Sequence, residues 1–576
     1  MIGPGKLRAM ADFDLVVRGA VIYDGSGAPG RQADLGIRGD RIAVVGEGLT
    51  GRNVVDAGGL AAAPGFIDTH SHSDLKVLVE PGLPAKLRQG ITLEVFGQDG
   101  ISVAPVREGD VPNRRRQLAG LLTNPDVSWR WRSVADYLSE IDRARPALDV
   151  AYLVPHGAVR EQVMGLENRK ATDDELERMR MVLSRSLDEG AYGLSTGLIY
   201  PPCCYCDTRE LVALCGVAAA KKTPVVVHLR SESDRLLEAM EEMFDVGRRS
   251  GVHVHISHFK IAGRNNWPKV GQVIAKVEEA TRAGVKVSAD QYPYIAGSTM
   301  MGAILPPWVH AGGTEKVLER LGNAEDRARI RREMLDTSEV DWDNFWKWSG
   351  PEGILIADVP SGKRPELVGK SVKQAADAAG ADPVEFALDL LLSEKMGVAM
   401  VSFSQSEEVV EQLMRLPYVN ACTDGLLGGR PHPRAFGTYP RILGRFVRER
   451  ASLPLEAAVR KMSGLAADTF GFADHGYLRE GKRAGAGTVL ATLAPLLGRG
   501  GRLVLDRDQV DAWLGTLNDL RLVLGTRLEV TEDTELEVPE DDPQAQALLV
   551  YGWLGWLQES LLSCISPRPG VQGPAR

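Results

Sequence analysis

Cysteine is scarce in this chain, with six residues among 576. A disulfide framework needs a denser and more regular set, so the cysteines are expected to be free thiols in a reducing compartment. Three of them crowd into the segment PPCCYC, a spacing that matches no standard zinc site: Cys203, Cys204 and Cys206. The composition argues against a small disulfide-stabilised scaffold and favours a cytoplasmic protein.

An excess of positive charge is also missing. The formal net charge is −9, and 25% of the residues are charged against 44% hydrophobic, which is ordinary for a globular protein. A nucleic-acid partner would need a basic face. We therefore expect no nucleic acid among the partners.

Neither end of the chain carries a long uncharged apolar run. The N-terminus has charges at Asp12 and Arg18 and no apolar h-region, so no signal peptide is expected. The apolar run at 547–565 contains Gln558 and Glu559, which favour a packed or amphipathic helix over a membrane span. The expectation is a soluble protein with no membrane partner.

What the chain does contain is two successive patterns of short apolar runs. Residues 12–60 hold Val/Ile-rich runs broken by Gly and Asp-Gly turns, which predict β-structure. Beyond Pro64, continuously apolar runs alternate with helical stretches, the pattern of an α/β fold with a (β/α)8 TIM-type barrel. Nine runs compete for the eight strand positions, so at least one is not a barrel strand: 64–70, 91–97, 149–157, 191–200, 223–233, 252–260, 284–294, 400–404 and 418–425.

A His-x-His pair ends the first of these runs. Residues i and i+2 of a strand face the same side, so Asp68, His70 and His72 are predicted to point toward one axis. Three further residues of the same kind close later runs: His228, His258 and Asp424. Barrel enzymes place their active sites at the carboxyl ends of the strands, and imidazoles with carboxylates suit a zinc-like divalent ion. Strand capping by hydrogen bonds is the alternative, and it suits His253 and His255 better than the others.

Several longer motifs carry a resemblance. They are GFIDTHSHSD, STGLIYPP, HLRSES, ISHFKIAG, DQYPYIAGST, the TDG at 423–425 and HPRAFGTYPR. In this order, from about residue 12 to about residue 484, the chain resembles the N-acyl-D-amino-acid deacylases (D-aminoacylases) of the amidohydrolase superfamily. The resemblance implies metal-dependent hydrolysis of the amide bond of an N-acyl-D-amino acid, which gives a carboxylate and a free D-amino acid.

The resemblance also implies a set of metal-binding residues. His70 and His72 would hold a first metal position, and His228 and His258 a second, more tightly bound zinc. Asp424 would be both a ligand and the catalytic proton shuttle. The implied cofactor is therefore one or two Zn2+ ions.

A second implied set binds the small-molecule substrate. Lys260, Tyr292 and Ser298 fall on the positions that hold its α-carboxylate. Arg230, two residues past a ligand histidine, lies beside the site. His432 follows the eighth strand at a distance that allows a substrate-side role, with a structural turn as the alternative.

One departure from the family pattern concerns the bridge between the metals. Where the family has a bridging cysteine in G-x-C-G, this chain has Gly-Gln-Asp-Gly at 97–100. The two oxygens of Asp99 can bridge two ions, and a harder ligand weakens the preference for zinc and admits Mn2+ or Co2+. Glu94 is a second candidate bridge, and a site with one metal and no bridge is the third possibility.

The domain layout combines the pattern with the resemblance. We expect residues 1–63 to form the first part of a small β-sandwich domain and 64–475 to form the barrel, with a lid-like insertion near 310–360. The chain is expected to return to the β-domain over 476–490, incompletely, and 491–576 are expected to form a helical tail that is atypical of the family.

The tail departs from the family after GYLREGKRA. Gly485 replaces the expected Asp, the expected strands do not follow, and acids gather at 529–542. This segment is similar to the end of a small, mostly helical actinobacterial protein family. A genuine fusion would add a helical module, whereas a frame error or junction would leave a truncated deacylase with a foreign tail. We favour the second interpretation, which predicts an unpaired edge in the β-domain.

Two other functions compete with deacylation. A cyclic-amide hydrolase of the dihydroorotase or hydantoinase kind resembles this chain in His-x-His, but it carries a bridging lysine, and the segment YGLSTGLIY has none. A non-catalytic interaction protein derived from the enzyme fold is the other alternative, and the intact ligand set argues against it. The sequence leaves the oligomeric state open.

Overall fold

The computed structural model describes residues 13–336, 338 and 340–483. The predicted helical tail, the apolar run at 547–565 and the last part of the predicted return to the β-domain lie outside these residues. No helix in the described part of the chain combines the length and the apolar character that a membrane span requires.

The first five strands form a small sheet with its own core. Their order is β3-β2-β1-β4, with β5 beside β1: β1 Phe13–Ile22, β2 Arg31–Arg38, β3 Arg41–Gly46, β4 Gly51–Asp56 and β5 Ala61–Ala62. The chain comes back to this sheet after the barrel. Ile42 at its edge donates to the Lys482 carbonyl at 2.9 Å and accepts from the Gly481 N–H at 2.8 Å.

A closed ring of parallel strands follows, which confirms the predicted barrel. Its eight positions are β6 Phe66–Asp68, β7 Ile91–Phe96, β8 Asp149–Tyr152 continued by β9 Val154–Pro155, β10 Leu194–Gly197, β11 Val225–His228, β12 Val254–Ile256, β13 Val287–Gln291 and β17 Val419–Ala421. Between β17 and β6, Ser71 pairs in parallel with Gly425. The Asp424 N–H also donates to the His70 carbonyl at 2.8 Å. The ring therefore closes at two of the candidate functional residues.

The run at 400–404 is the one that does not belong to the barrel. It forms β16 (Ala399–Phe403), the centre of a separate antiparallel sheet with β14 (Ala296–Met300) and β15 (Ile354–Asp358). A strand buried on both faces is continuously apolar in either setting, so its pattern does not reveal its partners. The insertion is thus a small domain that begins with β14 and ends with β16, longer than the predicted 310–360.

Helices cover the barrel and complete the insertion. The helices before the insertion are α1 Lys76–Val79, α2 Pro84–Leu87, α3 Val111–Leu122, α4 Val134–Ala144, α5 His156–Met164, α6 Asp173–Asp188, α7 Thr208–Ala220, α8 Leu236–Ser250 and α9 Val270–Arg282. Those of the insertion are α10 Thr314–Gly322, α11 Ala324–Met334, α12 Phe345–Gly353, α13 Val372–Ala379 and α14 Pro383–Ser393. The last are α15 Glu407–Met414, α16 Arg434–Arg441, α17 Leu455–Met462 and α18 Gly464–Phe470, with a π-helical segment at Ile442–Glu449.

Candidate metal centre

The predicted ligand residues converge at the carboxyl ends of the barrel strands. Three of them stand in left-handed backbone conformation, with φ of 55° at Asp99, 35° at His258 and 48° at Asp424. Such conformations are uncommon for residues with a side chain and cluster at functional sites. The turn before Asp99 depends on Gly97, because a Cβ there would lie 2.2 Å from the Leu153 carbonyl oxygen.

The carboxylate of Asp99 lies among four imidazoles. Its Oδ1 is 3.7 Å from His70 Nε2 and 3.4 Å from His258 Nε2. The same oxygen is 3.9 Å from His228 Nδ1, whereas Oδ2 is 3.5 Å from His72 Nε2. Oδ1 thus faces three of the histidines and Oδ2 faces the fourth, so both oxygens of this carboxylate are directed at imidazoles.

Asp424 faces the same space from the last barrel strand. Its Oδ1 is 3.3 Å from His72 Nε2 and 3.7 Å from His70 Nε2. Its Oδ2 lies 2.8 Å from Nη1 of Arg434. One oxygen is therefore directed to the imidazoles and the other is held by a buried cation.

The donor set fits one or two divalent ions. Buried polar atoms without a hydrogen-bond partner are rare in proteins, yet His70 has two of them and Asp99 Oδ1 is another. His228 Nδ1 and His258 Nε2 point at each other across 3.0 Å. Imidazole nitrogens and carboxylate oxygens around a common space are the ligands that zinc and similar ions take in proteins.

The charges of the cluster favour ionised carboxylates. Burial raises the pKa of Asp424, but Arg434 and His70 outweigh this and hold it well below its usual value. Burial likewise raises the pKa of Asp99, and His70 leads the groups that lower it. Burial lowers the pKa of His72, but its hydrogen bonds to the two carboxylates raise it to about 9.

Glu232 contacts three of the predicted residues but is not itself among the site residues predicted from the sequence. Its Oε1 is 2.6 Å from Lys260 Nζ and 3.1 Å from His258 Nδ1. Its Oε2 is 3.5 Å from His228 Nε2. Metal-binding histidines commonly present their second ring nitrogen to a carboxylate, which orients the ring. The position of Glu232 four residues after His228 was the one available signal.

Tyr292 lies between two cations. Its ring centre is 6.0 Å from Lys260 Nζ and 4.3 Å from the Arg434 guanidinium carbon. Its hydroxyl accepts a hydrogen bond from Gln405 Nε2 at 3.1 Å. The Ser298 hydroxyl instead donates to the Met400 carbonyl at 2.9 Å, within the insertion sheet.

Two predicted substrate residues have partners of their own. Arg230 pairs with Glu242 at 2.8 Å and lines a cavity of about 900 Å³ between the barrel and the insertion. His432 accepts from the Arg434 N–H at 3.0 Å, and its ring lies edge-on to Tyr294 at 5.2 Å. Burial and the adjacent Arg434 lower the pKa of His432 to about 3.

Glu94 and Asp68 are directed away from the cluster of imidazoles. Lys86 Nζ lies 2.9 Å from Glu94 Oε1 and 2.8 Å from Asp68 Oδ2. Glu94 Oε1 also accepts from the Ser71 and Ser73 hydroxyls. The prediction that Asp68 shares the axis of the two histidines is therefore wrong, because a fully buried lysine takes both carboxylates as counter-charges. Between the two candidate bridges, Asp99 is the one among the imidazoles.

A (β/α)8 barrel with these side chains at its strand ends belongs to the amidohydrolase class, and comparison with known proteins supports this. Residues 53–297 match the family described as "Amidohydrolase family". D-aminoacylase of Alcaligenes xylosoxydans xylosoxydans is 34% identical over 473 residues, which cover 81% of this chain and 86% of that protein. N-acyl-D-glutamate deacylase of the same organism is 34% identical over 472 residues, with the same coverage. The chain belongs to the D-aminoacylase family of amidohydrolases.

Solved structures lead to the same family. The N-acyl-D-glutamate deacylase of Bordetella bronchiseptica, in complex with zinc and a phosphonate inhibitor that mimics the tetrahedral intermediate, has a TM-score of 0.68 at 32% identity. That similarity covers 82% of this chain and 89% of the other. A D-aminoacylase structure described for its binuclear metal centre has a TM-score of 0.66 with the same identity and coverage.

The end of the chain has a different relative. Residues 465–565 match a family described as "Domain of unknown function (DUF2017)". The oxidative stress regulator AosR of Mycobacterium tuberculosis (strain CDC 1551 / Oshkosh) is 39% identical over 83 residues, which are 14% of this chain and 37% of that protein. Most of this match lies outside the described residues, where the sequence pattern changes.

Proposed function

We propose that this chain hydrolyses the amide bond of N-acyl-D-amino acids with one or two divalent ions. The convergence of four imidazoles on the Asp99 carboxylate carries the proposal, together with the family relationship. The residues proposed to hold the ions are His70, His72, Asp99, His228, His258 and Asp424.

The chemistry requires a stronger nucleophile than bulk water and a more electrophilic carbonyl than a free amide. A bound divalent ion supplies both, since it can lower the pKa of water from 15.7 to about 7 and polarise a carbonyl. Asp424 takes on its Oδ1 a proton from the water that attacks the carbonyl carbon, and it returns this proton to the amine nitrogen as the C–N bond breaks, a general base that becomes a general acid. Arg434, 2.8 Å from Oδ2, keeps this carboxylate in the form that accepts a proton.

The substrate's α-carboxylate is proposed to bind at Lys260 and Tyr292. Both side chains are buried and lie beside the candidate ligands. A fixed positive charge next to the scissile amide converts binding energy into orientation of the reacting groups. We assign further substrate contacts to Ser298, Arg230 and His432, whose partners in the structure are Met400, Glu242 and Arg434.

The proposed native ion is Zn2+, with Mn2+ or Co2+ able to replace it. Asp99 occupies the place where the family pattern has a cysteine, and a carboxylate is a harder ligand than a thiolate. A cytoplasmic location stays a prediction from composition. The free thiols of the five described cysteines support it.

A release assay on matched N-acetyl-D- and N-acetyl-L-amino acids tests the proposal. The protein is stripped with a chelator, reloaded with Zn2+ or Mn2+, and compared with an Asp424→Asn variant. We expect release from the D series only, dependent on the ion, and lost in the variant. Opening of cyclic amides without release from linear ones would favour the hydantoinase-like alternative. Less than one ion per chain, with no activity, would favour the interaction protein.

A further inference from the structure

A buried carboxylate of the insertion contacts the loop beside the candidate site. Asp343, which precedes α12, accepts hydrogen bonds from the hydroxyls of Ser231 and Ser233, both at 2.7 Å. Its second oxygen accepts from the Glu232 N–H, also at 2.7 Å. One side chain of the insertion therefore holds three consecutive residues of the loop that follows β11.

The middle residue of that loop is the one that contacts the site. The Glu232 carboxylate lies 2.6 Å from Lys260 Nζ and within 3.1 Å and 3.5 Å of the second ring nitrogens of His258 and His228. Its backbone is held from the other side, where the Ala262 N–H donates to the Glu232 carbonyl at 2.7 Å. A small shift of this loop would move the carboxylate relative to all three side chains.

We propose that Asp343 is a positioning residue for the reaction. It fixes Glu232, and through it the Lys260 ammonium and the orientation of the His228 and His258 rings. This inference rests on the proposed function and extends it, because it assigns the insertion a part in holding the substrate's carboxylate and the metal-binding imidazoles. The physical reason is preorganisation. Carboxylates that contact the second ring nitrogen of a metal-binding histidine set the orientation of its ring. A displacement of about 1 Å in such a group can lower the reaction rate about 100-fold.

A second contact between the same two segments offers a matched control. Lys347 Nζ of α12 lies 2.7 Å from Asp234 Oδ2, in the same loop but beyond Glu232. Both of these side chains are partly exposed. A Lys347→Ala variant removes a link between insertion and loop without removing a group that touches Glu232 or its two serine neighbours.

The experiment compares Asp343→Asn with Lys347→Ala in the full, metal-loaded chain. It measures kcat and KM for an N-acetyl-D-amino acid and for the same compound with its α-carboxylate converted to an amide. It also measures zinc affinity by chelator competition and the Tm. We expect Asp343→Asn to lower kcat/KM for the free acid about 10–100-fold, with a smaller loss for the α-amide, weaker zinc binding and little change in Tm. Lys347→Ala should leave all four readouts near the wild-type values.

Equal effects of the two variants, or equal losses on acid and α-amide, would overturn the proposal. If Asp343→Asn does not fold, the Ser231→Ala, Ser233→Ala double variant loosens the same contact and must show the same pattern. If the wild-type chain releases no amino acid, the proposed function fails. Zinc affinity then decides the positioning role, which requires weaker binding in Asp343→Asn than in Lys347→Ala.

Discussion

The guanidinium of Arg434 lies 2.8 Å from Asp424 Oδ2 and 4.3 Å from the centre of the Tyr292 ring. The same cation therefore contacts the proposed proton shuttle and one wall of the proposed substrate site. Arg434 is 1% exposed, and its Nη2 also donates to the Ser298 carbonyl at 2.8 Å. A buried charge in this position sets the ionisation of Asp424 as well as the shape of the site.

Replacement of Arg434 should change the pH dependence of the reaction. Arg434→Met removes the leading group that lowers the pKa of Asp424, so this pKa should rise and the acid limb of kcat/KM should move to higher pH. A kcat/KM profile that runs from the lowest pH at which the chain stays folded up to pH 9 measures this shift. Arg441→Met, on the same helix but paired with Glu407, is the control and should keep the wild-type profile. An unmoved acid limb in Arg434→Met would contradict the role given to this cation.

Substitutions of Asp99 and Glu94 should change the metal content of the protein to different extents. Asp99→Asn removes the carboxylate that faces four imidazoles, so the variant should retain less metal and lose most of its activity. Glu94→Gln leaves those imidazoles untouched, so it should keep its metal despite a loss of stability. Metal analysis of both variants after the same dialysis checks this, and the opposite result would make Glu94 the bridge.

Restoring the family's cysteine should narrow the choice of ion. Asp99→Cys replaces a hard oxygen ligand with a soft sulfur, which favours zinc over manganese. After its metal is removed, the Asp99→Cys variant should regain activity with Zn2+. With Mn2+ it should regain less activity than the wild-type chain does. Reconstitution with each ion at matched occupancy measures the ratio. An unchanged ratio would mean that residue 99 does not contact the ion.

Removal of the buried Lys86 charge should lower the free energy of unfolding strongly. Lys86→Met leaves Asp68 and Glu94 buried without their cation, which costs roughly 3–5 kcal/mol of unfolding free energy. Lys76→Met is the matched control, because Lys76 and Glu80 form a partly exposed i,i+4 pair at 2.7 Å. Such pairs contribute about 0.5 kcal/mol or less. Urea unfolding of the two variants should separate these values clearly.

Lys461 should make stability rise with pH. Burial lowers its folded-state pKa to about 7, helped by Arg460, whereas an unfolded lysine has a pKa of about 10.4. Between these values the unfolded chain binds more protons, so the free energy of unfolding should rise by up to about 1.4 kcal/mol per pH unit.

The difference between wild type and Lys461→Met, followed by urea unfolding from pH 7 to pH 9, isolates this contribution. The Lys461 Nζ also donates to the Val419 carbonyl at 3.1 Å, so the substitution changes the size of the difference as well as its pH dependence. The slope of the difference, and not its size, carries the test. Lys221→Met, at an exposed lysine paired with Asp188, is the control for the substitution itself.

The sequence pattern predicted the barrel because parallel strands covered on both faces must be apolar along their whole length. The same rule admitted the run at 400–404 as a ninth candidate, since the central strand of the insertion sheet is buried too. His70 and His72 could be paired from spacing alone, because alternate residues of a strand share a face. The choice of Asp99 over Glu94 as the bridging residue depended on the family resemblance alone. Glu94 lies in β7 and Asp99 follows the same strand, so their positions in the pattern do not distinguish them.

The sequence by itself determined the fold class, the family and the side chains that end the barrel strands, since these depend on local periodicity and on motifs of consecutive residues. Only the tertiary structure decided three pairings. Lys86 forms an ion pair with Glu94, Arg434 forms one with Asp424, and Asp343 accepts a hydrogen bond from the Glu232 N–H. The third pair joins residues 111 positions apart, and the first two join neighbouring elements whose relative placement is set by the fold. A buried charge takes its partner from whichever segment the fold brings near, and no local pattern records that choice.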